Sequence, residues 1–77
     1  MSKLIYFKRY LYVIDRLRSR PCSFNELQEH VMRKLENDDI DTTFEYAIRT
    51  FERDKKDIPA LFGIVIQYNR KDKTYAI

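Results

Sequence analysis

Arg49, Thr50 and Arg53, with Tyr46 one turn ahead of them, are the residues of this chain whose types and spacing could do chemistry. At the helical period of 3.6 they fall on one side of a segment running from Asp41 to Ile58, while Phe44, Ala47, Ile48, Phe51 and Ile58 fall on the other. A guanidinium is a planar fork of N–H donors that matches guanine O6/N7 or a phosphate, and the Tyr and Thr hydroxyls add hydrogen bonds at close range. A helix with an apolar back and such a front can lie in a DNA major groove. The same segment also reads as an ordinary surface helix, because Arg49, Arg53, Lys55 and Lys56 are balanced by Glu45, Glu52, Asp54 and Asp57. Taken alone, it leaves both readings open.

The elements that must position this segment are short and well marked. Residues about 3 to 19 form a first helix, with Leu4, Phe7, Tyr10, Leu11, Ile14 and Leu17 on its apolar face and Tyr6 and Val13 widening it. Ile5 and Tyr12 lie off that face and read either as scattered surface apolars or as a candidate protein interface. Pro21 breaks the helix. Ser23-Phe24-Asn25-Glu26 is a capping box opening a second helix at Phe24, whose stripe Phe24, Leu27, Val31, Leu35 ends near Glu36. Thr42 with Glu45 offers another capping box for the third helix, with Asp41 as an alternative cap. Pro59 should end that helix or open a short final turn through Leu61 and Phe62, and Gly63 fits a C-terminal position of positive φ. Ile64–Tyr68 and Lys73–Ile77 are strands joined by the polar turn Asn69-Arg70-Lys71-Asp72, with Ile64, Ile66 and Tyr68 on one face and Tyr75 and Ile77 placed to pair with them.

Composition bounds what else the chain can be. Its 77 residues make one small domain, spanning 1–77, with 44% hydrophobic and 35% charged residues and a net charge of +3. That balance permits a polyanionic partner without requiring one. Cys22 is the single cysteine, so no internal disulfide forms, which fits a reducing, cytoplasmic location. No run is long and apolar enough to cross a bilayer, and the start lacks the apolar core of a signal peptide. The single histidine, His30, has no companions to complete a metal set, and Cys22 has no evident base. With no phosphate-cradling glycine loop and no triad, the expectation is a non-enzyme with no catalytic residue, metal or cofactor.

Helix, capped helix, amphipathic helix and basic-tipped hairpin is the layout of a winged helix-turn-helix: mainly α, three helices plus a two-stranded wing. In that fold the third helix enters the major groove and the hairpin tip lies beside it over phosphates or the minor groove. Arg70, Lys71 and Lys73 stand at the expected tip, and a solvated turn is the plainer account of them.

The residues also carry a family resemblance. Arg49-Thr50-Phe51-Glu52-Arg53-Asp54 resembles the Arg-Thr-Phe-x-Arg-Asp core of the recognition helix in WYL-domain transcriptional regulators, bacterial proteins that begin with a DeoR-like winged helix. Arg9–Asp15 is similar to their first helix, Ser23–Leu27 to their capped second helix, and Phe62–Ile66 with Tyr75 to their wing. The resemblance implies that Arg49, Thr50 and Arg53 face DNA, that Phe51 is in the core, and that an effector-sensing WYL domain follows in a longer, often dimeric regulator. Departures are Lys55, where an apolar residue is usual, Ala47-Ile48, where a small capping residue is usual, and Thr74, where a glycine often precedes the wing tyrosine.

The leading expectation is sequence-specific binding of double-stranded DNA by a transcriptional regulator. Tyr46, Arg49, Thr50 and Arg53 would read or grip the groove, and Arg70, Lys71 and Lys73 would hold the backbone. The alternative is a winged helix used for protein contact or homodimerisation, with Ile5 and Tyr12 as anchors.

Overall fold

Extended backbone at the Cys22 break ties the helices to the wing. In the computed structural model, which describes residues 3–38 and 46–77 and the side chains from Tyr6 onward, α1 spans Lys3–Ser19, α2 Phe24–Asn37 and α3 Ile48–Phe62. Two strands follow, β1 (Gln67–Asn69) and β2 (Thr74–Ala76), paired antiparallel with Tyr68 opposite Tyr75. Cys22 adds a bridge on the free edge of β2: its N–H donates to the Tyr75 carbonyl at 3.1 Å, and the Tyr75 N–H donates back at 2.8 Å. The wing therefore cannot swing free of the α1–α2 junction, a link that Pro21 favours by holding this stretch out of helix. The expected strands 64–68 and 73–77 are shorter than their β-branched runs suggest, because only these three register pairs form.

The capping box at Ser23 forms as expected, with the Glu26 N–H donating to the Ser23 hydroxyl at 3.3 Å and the Ser23 N–H donating to the Glu26 carboxylate at 3.1 Å. The Ser23 N–H, with the Ser23 hydroxyl donating to the same carboxylate, holds the Glu26 carboxyl below its ordinary value. Leu27, Val31 and Leu35 are fully buried, as their spacing requires. They join Tyr10, Val13, Ile14 and Leu17 of α1, Phe51 and Ile58 of α3, and Ile66 and Tyr75 of the wing in one core.

The apolar face of α1 is rotated from the expected one. Val13, Ile14 and Leu17 are buried, whereas Phe7 and Leu11 are exposed. The reason is Arg9, which turns inward to meet Asp54 and takes the side of the helix next to Tyr10. Phe7 instead lies against Phe62, with ring centroids 5.7 Å apart.

The third helix begins at Ile48, later than Asp41. Its N-cap is Ala47, in extended conformation with no side-chain hydrogen bond. The Thr42–Glu45 capping box, Asp41, Phe44 and the side chains of Leu4 and Ile5 lie outside the described residues. At the other end the helix runs through Pro59 to Phe62. Pro59 removes one donor but stands in the final turn, where Ile58 in the core and Phe62 against Tyr10 hold the chain. Gly63 then closes the helix at φ 69°, its N–H donating to the Pro59 carbonyl at 2.9 Å. Among the described residues no helix is long and apolar enough to cross a membrane.

Candidate nucleic-acid interface

A buried ionic cluster sets the rotation of α3. Arg9 donates from Nε to Asp54 Oδ2 and from Nη2 to Asp54 Oδ1, each at 2.7 Å, and the Tyr46 hydroxyl donates to Asp54 Oδ2 at 2.8 Å. The guanidinium sits among the rings of Tyr6, Tyr10 and Tyr46, with its central carbon 4.9 to 5.8 Å from their centroids. Burial, with the Asp54 carboxylate beside it, holds the Tyr46 phenol far above its ordinary value, so it stays a donor. Gln28 of α2 adds a bond from Nε2 to the Tyr46 carbonyl at 2.8 Å.

This overturns one sequence expectation outright. Tyr46 is fully buried, so it does not lie on the DNA face. Because α3 starts at Ile48, Tyr46 belongs to the extended approach, where helical spacing does not apply. Ala47 and Ile48 leave the expected apolar side for the same reason and are exposed. The inward face of α3 is Phe51, Asp54 and Ile58.

With that rotation, the acids and bases of α3 separate. Asp54 is consumed by Arg9, Asp57 accepts from the Tyr10 hydroxyl at 3.1 Å, and Glu52 pairs with Lys55 at 3.0 Å. Lys55, which stands where the resemblance usually has an apolar residue, extends over the Tyr75 ring with its Nζ 5.4 Å from the centroid. Arg49, Arg53 and Lys56 are exposed, and none pairs with a carboxylate of the described residues. Thr50 is half-buried beside them. Arg49, Thr50 and Arg53 thus reach the surface on one side of α3, and Lys56 is a further exposed cation there.

The wing tip keeps its cations outward. Asn69 Oδ1 accepts from the backbone N–H of Lys71 at 2.9 Å and of Asp72 at 3.3 Å, and Asn69 Nδ2 donates to Asp72 Oδ2 at 3.2 Å. Lys73 closes the hairpin at φ 55°, so the left-handed residue is Lys73 and no glycine is needed at Thr74. Arg70, Lys71 and Lys73 are all exposed. Phe51 against Tyr75, centroids 4.7 Å apart, fixes the wing to α3.

The other candidates have structural partners. Tyr12 is half-buried and its hydroxyl donates to Asp38, which weakens it as a free interface anchor, while the Ile5 side chain is outside the described residues. Cys22 is buried, which pushes its thiol up. His30 lies beside Asp15, Nε2 to Oδ2 3.6 Å. Among the described residues no three His, Cys, Asp or Glu groups stand together to hold a metal. What sequence reading missed is the Arg9–Asp54 pair, since an arginine and an aspartate 45 positions apart carry no local pattern that links them. Comparison with protein-family models, with curated proteins and with solved structures finds no match to this chain.

Proposed function

We propose that this chain is a DNA-binding domain of a cytoplasmic transcriptional regulator, with α3 in the major groove and the wing over the backbone. The observation that carries this reading is the separation of charge across α3. By sequence the helix is close to neutral. In the fold its described acids are turned inward or paired, and Arg49, Arg53 and Lys56 are left on the solvent side with no carboxylate partner among the described residues, while Arg70, Lys71 and Lys73 are exposed at the wing tip. Six exposed cations on α3 and the wing, none paired with a carboxylate among the described residues, suit a polyanion read by a helix. The resemblance to WYL-domain regulators points the same way, and extends the proposal to a longer, dimeric protein with an effector-sensing domain.

A second reading is protein contact. Phe7, Leu11 and Leu61 are 50%, 42% and 62% exposed, which offers apolar anchors on α1 and the end of α3.

One titration separates the two. A random-sequence duplex is added at low salt and again at higher salt while amide shifts are followed by NMR. Shifts confined to Arg49–Lys56 and Arg70–Lys73 that fade with salt support DNA binding. Shifts absent there, or centred on Phe7 and Leu11 and rising with protein concentration, support the second reading instead.

A further inference from the structure

The start of α3 runs against helix stability in several ways at one place. Its N-cap, Ala47, makes no side-chain hydrogen bond, and the first turn contains no acid. Arg49 puts a positive charge at the positive end of the helix dipole. Ile48, β-branched and apolar, is 44% exposed at the first helical position. The start of α2, with its complete capping box, shows none of this. Local rules broken together at one place are what a functional or strained site shows.

The first-turn N–H groups of a helix and Arg49 suit a phosphate, but an exposed isoleucine gains nothing from one. The apolar group that the major groove presents is the thymine 5-methyl. Ile48 is one turn ahead of Glu52 and two ahead of Lys55, which reaches over Tyr75, so it stands on the wing side of the Arg49–Arg53 stripe. The N-terminal residues of a recognition helix are the ones that reach base edges.

We propose that Ile48 is a specificity residue that packs on the 5-methyl group of a thymine next to the base or phosphate held by Arg49. The inference rests on the DNA-binding reading above and names what that site selects.

The test uses the full chain. Duplexes are selected from a randomised library, and each thymine of the selected site is replaced in turn by deoxyuridine, which lacks only the methyl group. One replacement should weaken wild-type binding about four-fold, the worth of one buried carbon. The same replacement should leave Ile48→Ala unaffected and should keep a reduced penalty in Ile48→Val. If no thymine matters, or if the penalty survives in Ile48→Ala, the assignment to Ile48 is overturned while DNA binding stands. If the wild-type chain binds no duplex in a salt-dependent way, the DNA reading falls and the assignment falls with it.

Discussion

Arg9 grips Asp54 side-on, through Nε and Nη2, with two bonds of 2.7 Å between groups that are both buried. The pair joins α1 to α3 and decides which side of α3 faces water. Removing one partner leaves the other charge buried and unanswered, which costs about 3–5 kcal/mol. A domain of this length has a total stability of about 4–12 kcal/mol. Asp54→Ala should therefore shift the urea midpoint sharply down or abolish the cooperative transition. Replacing both partners with apolar side chains, Arg9→Met with Asp54→Leu, should lose much less. An Asp54→Ala cost below about 1 kcal/mol would mean that the pair does not anchor the helix.

Tyr46 tests the corrected face of α3. Tyr46→Phe keeps the ring among Phe24 and Arg9 and removes only the donor to Asp54. A lost hydrogen bond to a charged group is worth about 1.5–3 kcal/mol, visible as a lower urea midpoint. Duplex affinity, measured where the variant is fully folded, should not change. A loss of affinity under those conditions would return Tyr46 to the interface.

Sequence periodicity reached far in some places and failed in others for identifiable reasons. The Ser23 cap, the Leu27–Val31–Leu35 stripe and the Gly63 closure are local devices, and each is where its spacing puts it. Leu11 and Ile48 fall on apolar faces by their spacing and are exposed. On α1 the inward turn of Arg9 takes the place of an apolar residue. On α3 a start at Ile48 removes Tyr46 and Ala47 from the helix, and the inward position one turn after Phe51 is taken by Asp54. A charged pair inside the core breaks the apolar code on both helices at once, and only the fold reveals that the two breaks answer each other. The exposed positions of Arg49, Arg53 and the wing cations were legible because such residues reach solvent almost wherever the chain allows it.

Ala47 separates stability from binding. Ala47→Ser or Ala47→Asp supplies the missing cap and should add about 1 kcal/mol, raising Tm by roughly 4–8 °C in a domain this small. Ala47→Asp also puts a carboxylate at the end of α3 that the DNA-binding reading turns toward a polyanion. It should weaken duplex binding more than Ala47→Ser does, although it gives the more stable fold. Equal affinity for the two variants in a fluorescence-anisotropy titration would move the helix start away from the DNA.

His30 gives the fold a pH dependence. Burial lowers its pKa, Asp15 pulls the other way, and Lys34, Arg16 and Arg33 add to the lowering. A lowered folded value means that the unfolded chain binds the proton more tightly. The contribution is favourable above the unfolded value of about 6.5 and is lost as pH falls from there through the folded value. Tm should fall over that window in the wild-type chain and fall less in His30→Gln. Parallel pH profiles for the two proteins would exclude His30 as the cause.

The wing and α3 should differ in the kind of binding energy they supply. Arg70, Lys71 and Lys73 stand on a turn held by Asn69 and carry no geometry for reading a base, so each acts as a charge near phosphate. Replacing any one by Ala should lower the slope of log K against log salt by about 0.9, with the same loss on selected and random duplexes. Arg49 stands in the first turn of the helix, where a fork can meet a base edge. Arg49→Ala should cost about 1–3 kcal/mol on the selected site, with a smaller loss on random duplex and a relaxed preference at one base position. If Arg49→Ala instead weakens both duplexes equally and changes only the salt slope, Arg49 grips phosphate. Sequence reading would then fall to the rest of the α3 first turn, with Ile48 foremost.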